Sequence, residues 1–268
     1  YSLAFRSKGR VLASGDQDGE VQLHDLANGK TTTLGEGSQI NALAFNPSGR
    51  MLAIGENDGH LIIYDLASSA TRRLNDGSAI NIVAFSPDGT MLASGGTDGK
   101  VFLRNLTTAR TTTLNNGSSV YGLAFSADGK ELAIGDGGGQ VRLYDVATAK
   151  STTFDDGSPV NDLAFSPDGA TLVVGGEDGD LVFHNLDNAS TITINDGSPV
   201  YSLAFSSNGK MLASGDFDGV VHIRPSALWS SSPGQLKAQL CHELRDGYMT
   251  RAQWAVYVPA QQYQETCS

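Results

Sequence analysis

Short apolar runs of strand length alternate with clusters of turn residues along most of the chain. Between residues 40 and 74 the order is Ile40 to Phe45, Asn46-Pro47-Ser48-Gly49, Met51 to Gly55, Asn57-Asp58-Gly59, Leu61 to Leu66 and Thr71 to Leu74. The β-branched and aromatic content of the runs predicts strands, and proline with glycine predicts tight turns, because proline presets φ and glycine permits positive φ. Asp-Gly between two apolar runs is a hairpin signal. The last run is polar and threonine-rich, with Thr31-Thr32-Thr33-Leu34 and Thr111-Thr112-Thr113-Leu114 as equivalents. A strand of that composition suits an exposed outer edge.

The same segment recurs six times at a fixed spacing of 40 residues. One marker is the terminal phenylalanine of Leu3-Ala4-Phe5, Leu43-Ala44-Phe45, Val83-Ala84-Phe85, Leu123-Ala124-Phe125, Leu163-Ala164-Phe165 and Leu203-Ala204-Phe205; a second is the glycine at 15, 55, 95, 135, 175 and 215. The turn recurs as Ser86-Pro87-Asp88-Gly89, Ser126-Ala127-Asp128-Gly129, Ser166-Pro167-Asp168-Gly169 and Ser206-Ser207-Asn208-Gly209. A unit this short cannot bury its own apolar face and must stack on its neighbours. Small residues at Ala13, Ala53, Ala93, Ala133 and Ala213, with Val173 as the exception, mark where neighbours crowd. Four short antiparallel strands per repeat make one propeller blade, so the function is sought on the surface of the array.

The order of strand, Ser-Pro-Asp-Gly, Leu-Ala-Ser-Gly, Asp-Gly and a third strand closing in Leu-Tyr-Asp-Val resembles the WD40-repeat family over residues 1–226, which implies an all-β propeller. The family's closing Trp-Asp pair stands here as His24-Asp25, Tyr64-Asp65, Arg104-Asn105, Tyr144-Asp145, His184-Asn185 and Arg224-Pro225. Its Gly-His pair is Gly-Ser at 37–38, 77–78, 117–118, 157–158 and 197–198, so the family's internal Trp-Ser-His-Asp network cannot form in its usual way. Five repeats have all four strands, and the sixth departs from the pattern after Ile223-Arg224-Pro225. The expected ring is either six-bladed, with an outer strand from residues such as Ala227-Leu228-Trp229, or seven-bladed, with a portion preceding Tyr1.

Residues 227–268 form a separate tail. Ser232, Pro233 and Gln235 make a capping box for a helix over 232–244, with Leu236, Leu240 and Leu244 on one face; Thr250 and Gln253 start a second, short helix that Pro259 ends. The spacing of Cys241, Thr250, Trp254, Tyr257, Tyr263, Thr266 and Cys267 resembles a tail found in bacterial WD40 proteins fused to signalling NTPase or protease modules. Together with a start at Tyr1 inside a repeat, this leads us to expect the C-terminal part of a larger bacterial signalling protein, with an upstream domain missing.

Charge and chemistry narrow the function classes. The chain has 29 acidic against 18 basic residues, a net charge of −11, and the tail carries three of each sign, so the surplus lies in the repeats. That balance disfavours nucleic-acid binding. No apolar run approaches the ~18–20 residues of a membrane span. The only cysteines, Cys241 and Cys267, lie in the tail, which suits a cytoplasmic chain. The Asp16-Gln17-Asp18-Gly19 and Asp216-Phe217-Asp218-Gly219 runs lack the further ligands of a calcium loop, and no nucleophile elbow, P-loop or zinc-protease helix is present. We expect no catalytic residues, no metal and no cofactor.

A partner-binding rim remains. In WD40 proteins the start of the first strand and the residue before the Asp-Gly turn share a rim. The resemblance carries this to Tyr1, Asn41, Asn81, Tyr121, Asn161 and Tyr201, and to Gln17, Asn57, Thr97, Glu177 and Phe217. Tyrosine and phenylalanine on such a rim suit an interaction hot spot for a protein or peptide. A small-ligand or glycan-binding propeller is the alternative.

Overall fold

The computed structural model describes residues 2–7, 9–35, 37–226 and 229, and from 2 to 226 these are strands and turns only. The tail helices, Cys241, Cys267 and the proposed boundary at 227 lie outside the described residues. The chain forms two compact units, Tyr1–Leu163 and Ala164–Ser268.

Four complete sheets belong to the first unit. They are β1 (Ser2–Phe5), β2 (Val11–Gly15), β3 (Glu20–Asp25) and β4 (Thr31–Gly35); β5 (Ile40–Phe45), β6 (Met51–Glu56), β7 (His60–Asp65) and β8 (Thr71–Asn75); β9 (Ile80–Phe85), β10 (Met91–Gly96), β11 (Lys100–Asn105) and β12 (Thr111–Asn115); and β13 (Val120–Phe125), β14 (Glu131–Asp136), β15 (Gln140–Asp145) and β16 (Ser151–Asp155). The fifth sheet is β17 (Val160–Phe165), β18 (Thr171–Gly176), β19 (Asp180–Asn185) and β20 (Thr191–Asn195). The sixth holds β21 (Val200–Phe205), β22 (Met211–Asp216) and β23 (Val221–Pro225), three strands among the described residues. Each is an antiparallel meander in sequence order, as the hairpin signals predict, and the fourth strands are largely exposed on their threonine-rich residues.

The recurring glycine has a steric cause. A Cβ on Gly15, Gly55, Gly95 or Gly135 would lie 2.4–2.6 Å from a methyl of Ile40, Ile80, Val120 or Val160, the first residue of the next sheet's inner strand. Carbon atoms do not approach so closely, so only glycine lets these sheets close on one another. In the second unit Gly175 stands in the same relation to Val200, at 2.8 Å, whereas Gly215 has nothing within 4 Å. Beside these glycines Ala13, Ala53, Ala93, Ala133 and Val173 are fully buried, as expected of packing positions. Leu52, Ile54, Leu61, Leu92, Leu132 and Leu172 fill the sheets' inner faces, each contributing about 2 kcal/mol by burial.

At the end of the sixth sheet the chain departs from the repeat. Leu66, Leu106 and Val146 join apolar clusters that also hold Phe45, Phe85 and Phe125 respectively. The sixth equivalent is Ser226, and Trp229 takes over the apolar role: it is 7% exposed, stacks on Phe183 at 5.3 Å and meets Phe205 edge-on at 5.6 Å. Trp229 itself does not extend a fourth strand, because its backbone is helical.

Candidate functional site

The inner strands start with a β-bulge. Pairing skips Asn41 between Ile40 and Ala42, Asn81 between Ile80 and Ile82, Tyr121 between Val120 and Gly122, and Tyr201 between Val200 and Ser202. A bulge leaves one residue unpaired and re-aims its side chain. Four of the expected first-strand rim positions are these bulge residues; Tyr1 lies outside the described residues.

The backbone also brings the two expected sets together. The N–H of Asn57 donates to the Gln39 carbonyl at 2.9 Å, that of Thr97 to Ala79 at 3.0 Å, that of Gly137 to Ser119 at 2.8 Å and that of Phe217 to Pro199 at 2.9 Å. Each bond fastens a hairpin turn against the segment that enters the same sheet's bulge. Asn41 and Asn57 accordingly lie 3.4 Å apart through their amides, the Tyr121 ring lies over Gly137, and Tyr201 and Phe217 meet at 6.2 Å between ring centroids.

Within this frame the residues divide by chemistry. Asn41 and Asn81 are half-buried, and their amides donate to the Ile80 and Val120 carbonyls of the next sheet at 3.1 and 3.0 Å. Asn161 is half-buried as well, while Gln17, Asn57, Thr97 and Glu177 are exposed on turns. The aromatic members face solvent: Tyr121 is 41% exposed, Tyr201 49% and Phe217 68%.

Charged groups lie under the turns. Glu56 is fully buried and accepts from the Arg73 guanidinium and, at 3.3 Å, from the Gly37 N–H. Asp136, also buried, accepts from the Asn116 amide at 2.7 Å and from the Gly138 N–H at 2.8 Å. His60 Nδ1 sits 2.9 Å from Asp58 and 3.9 Å from Glu56. These three groups lie within metal-ligating reach of one another, but Arg73 already matches the Glu56 charge.

A buried triad stands behind the third sheet. Arg104 donates to Ser94 Oγ at 2.7 Å and to the Asp76 carboxylate, and Ser94 Oγ donates to Asp76 at 2.6 Å. The Asp76 N–H in turn donates to the Gly59 carbonyl in the preceding hairpin. In the sixth sheet Arg224, Ser214 and Asp196 repeat the arrangement, with Asp196 N–H on the Gly179 carbonyl. A network does form in these two sheets, then, with aspartate and arginine in place of histidine and tryptophan. The signal was present in the sequence: where arginine is the penultimate residue of the third strand, as at Arg104 and Arg224, serine stands ten residues earlier and aspartate eighteen before that. A cleft of about 520 Å³ lined by Met91, Leu103, Asn105, Arg110, Tyr144 and Val146 contains none of the expected rim residues.

The repeat pattern has a counterpart among known families. The WD domain, G-beta repeat matches residues 69–105, 109–145, 149–185 and 189–224, more than half of the chain, and the anaphase-promoting complex subunit 4 WD40 domain matches residues 31–74. Each of the four matches begins at the outer strand of one sheet and ends with the third strand of the next. No curated protein matches the chain. With its sheets, its turns and its period all in the frame of that repeat, the chain belongs to the WD40-repeat family.

Proposed function

We propose that the chain is a non-catalytic protein-interaction scaffold whose partner seats on the bulge-and-hairpin rim. The observation that carries this reading is the Tyr201–Phe217 pair, two large rings 6.2 Å apart on a locked backbone, 49% and 68% exposed. Rings held this way lose little freedom on binding, which is why aromatic anchors dominate hot spots. WD40 propellers generally bind other proteins. The acids beside the rim, Asp58, Asp98, Asp178 and Asp218, favour a partner segment that carries lysine or arginine. The tail pattern from Cys241 to Cys267 supports a place in a larger bacterial signalling protein, in the cytoplasm.

The test is affinity capture with quantitative mass spectrometry, comparing the wild type with the Tyr121→Ala, Tyr201→Ala, Phe217→Ala triple variant. We expect the variant to keep its unfolding midpoint and lose the specific partner. Equal capture by both proteins would remove the rim from consideration.

A further inference from the structure

Each inner strand ends in a turn that leads to the second strand of its sheet, and the first of these turns departs from the other five. Its sequence is Arg6-Ser7-Lys8-Gly9-Arg10, three cations and no acid, where the others hold Ser48, Asp88, Asp128, Asp168 or Asn208 at the third place. The leading residue elsewhere is Asn46, Ser86, Ser126, Ser166 or Ser206, and its side-chain oxygen accepts the N–H five residues on at 2.9–3.0 Å. Arginine is a donor only and cannot close a turn in that way. A position that forgoes a bond kept by all its counterparts breaks a local folding rule, and such breaks mark functional places.

Arg6 is held in place without being neutralised. It is half-buried and lies across Gly49 of the neighbouring turn, where an added Cβ would stand 2.8 Å from its Cγ, 2.9 Å from its Nε and 2.7 Å from Ser7 Oγ. Among the described residues its guanidinium has no hydrogen bond or ion pair. Arg10 is only loosely engaged. Its equivalent Arg50 grips Asp65 at 2.9 and 2.8 Å, whereas Arg10 stands 3.7 Å from Asp25, whose oxygens already accept from the Ala27 N–H and the Asn28 amide. Arg6, Ser7 and Arg10 line one cleft of about 440 Å³ together with Val11, Asp25 and Ser48.

We propose that this cleft binds a phosphomonoester. Such a group carries close to two negative charges and suits a pair of guanidinium forks, with the Ser7 hydroxyl as a further donor. Because the Arg6 stem is already fixed on Gly49, little freedom is lost when its head takes a ligand. The acidic surplus of the repeats selects a compact dianion over a nucleic acid or an anionic membrane, since an extended array of negative charge would also meet those acids. The turn from Phe5 to Val11 lies at the opposite end of its sheet from the Asp-Gly hairpin, so the site is separate from the rim.

Titration of the whole protein with inorganic phosphate at constant ionic strength, followed by amide proton–nitrogen correlation spectra, tests this. We expect saturable shifts at Ser7, Arg10 and Gly49. Arg6→Gln and Arg10→Gln should each weaken binding about tenfold, the loss expected for one charge-assisted hydrogen bond. Arg10 is 68% exposed in its side chain, so its variant folds and decides the matter if Arg6→Gln does not. Lys130→Gln removes the same charge from the same place in the fourth sheet, where Asp128 already holds it, and should leave binding unchanged. A Gly-Gly-phosphoserine-Gly-Gly peptide and glycerol 3-phosphate separate the sources: tighter binding of the first assigns the site to a phosphorylated protein, tighter binding of the second to a small free ester, and equal binding to the phosphoryl group alone. The proposal is overturned if phosphate produces no saturable shift at these amides, or if Arg10→Gln binds it as well as the wild type does. Neither result bears on the rim, which is tested by capture of a protein partner.

Discussion

Gly95→Ala gives the sharpest test of how the sheets stack. The added Cβ would lie 2.6 Å from Val120 Cγ1, 3.0 Å from Val120 Cβ and 3.3 Å from Ile82 Cγ2. The first distance is about 1 Å inside an ordinary carbon contact, and Val120 is itself fully buried and cannot swing away. Overpacking of this kind costs roughly 1–3 kcal/mol, against which alanine's stiffer unfolded chain returns about 0.4–1 kcal/mol. The net expectation is a loss of about 1–2 kcal/mol in urea unfolding. Gly215→Ala is the internal control: with nothing within 4 Å it retains only the favourable part and should be neutral or slightly stabilising. Val120→Ala combined with Gly95→Ala should cost less than the two single changes summed, because the valine change vacates the volume that the added alanine Cβ invades. If Gly95→Ala proves no more destabilising than Gly215→Ala, steric closure is not why glycine recurs.

Three further outcomes follow from other parts of the molecule. Arg104→Ala strands the buried Asp76 carboxylate and should cost about 3–5 kcal/mol by thermal or urea unfolding, whereas a loss under 1 kcal/mol would show the triad to be dispensable. Ala109, Ala149 and Ala189 hold φ of 57°, where the first repeat has Gly29 at 70°; Ala149→Gly should stabilise by about 0.5–1 kcal/mol, and a destabilisation would count against strain at that turn. Arg50 donates to Asp65 at 2.9 Å and, with the Ser68 N–H, lowers its carboxyl pKa to about 2; the contribution is present above pH 3.8 and lost as pH falls towards 2, so carboxyl NMR should find the midpoint near 2 and Arg50→Ala should raise it towards 3.8.

The sequence told most about backbone and least about what side chains do with one another. Strands, hairpins and stacking positions were legible because each is fixed by local chemistry that recurs: Asp-Gly for the turn in five repeats, glycine for the close approach in all six, threonine for the outer strand in five. The Arg104 triad was missed because comparison with the family's usual residues drew attention to the absent histidine and tryptophan, while the substitute partners lie 10 and 28 residues from the arginine and show only when repeats are compared position by position. The bulges at Asn41, Asn81, Tyr121 and Tyr201 have no composition of their own; an extra residue in a strand is visible only against its paired neighbour. The family resemblance put Tyr201 and Phe217 on one rim, and their rings lie 6.2 Å apart, but it could not separate the exposed Tyr121 and Tyr201 from Asn41 and Asn81, whose amides turn inward to the next sheet.

All three members of the Arg104 triad fall inside one matched repeat, residues 69–105, and those of the Arg224 triad inside another, residues 189–224. A repeat copied whole during gene duplication thus takes its buried cation and the matching anion with it. Copying such a unit whole keeps this arginine with its aspartate, whereas a crossover between residues 76 and 94 would split the set. Matched units begin at the turns of Ala109, Ala149 and Ala189, which are the seams that keep each triad whole, whereas the seam at Ser69 would part buried Glu56 from Arg73.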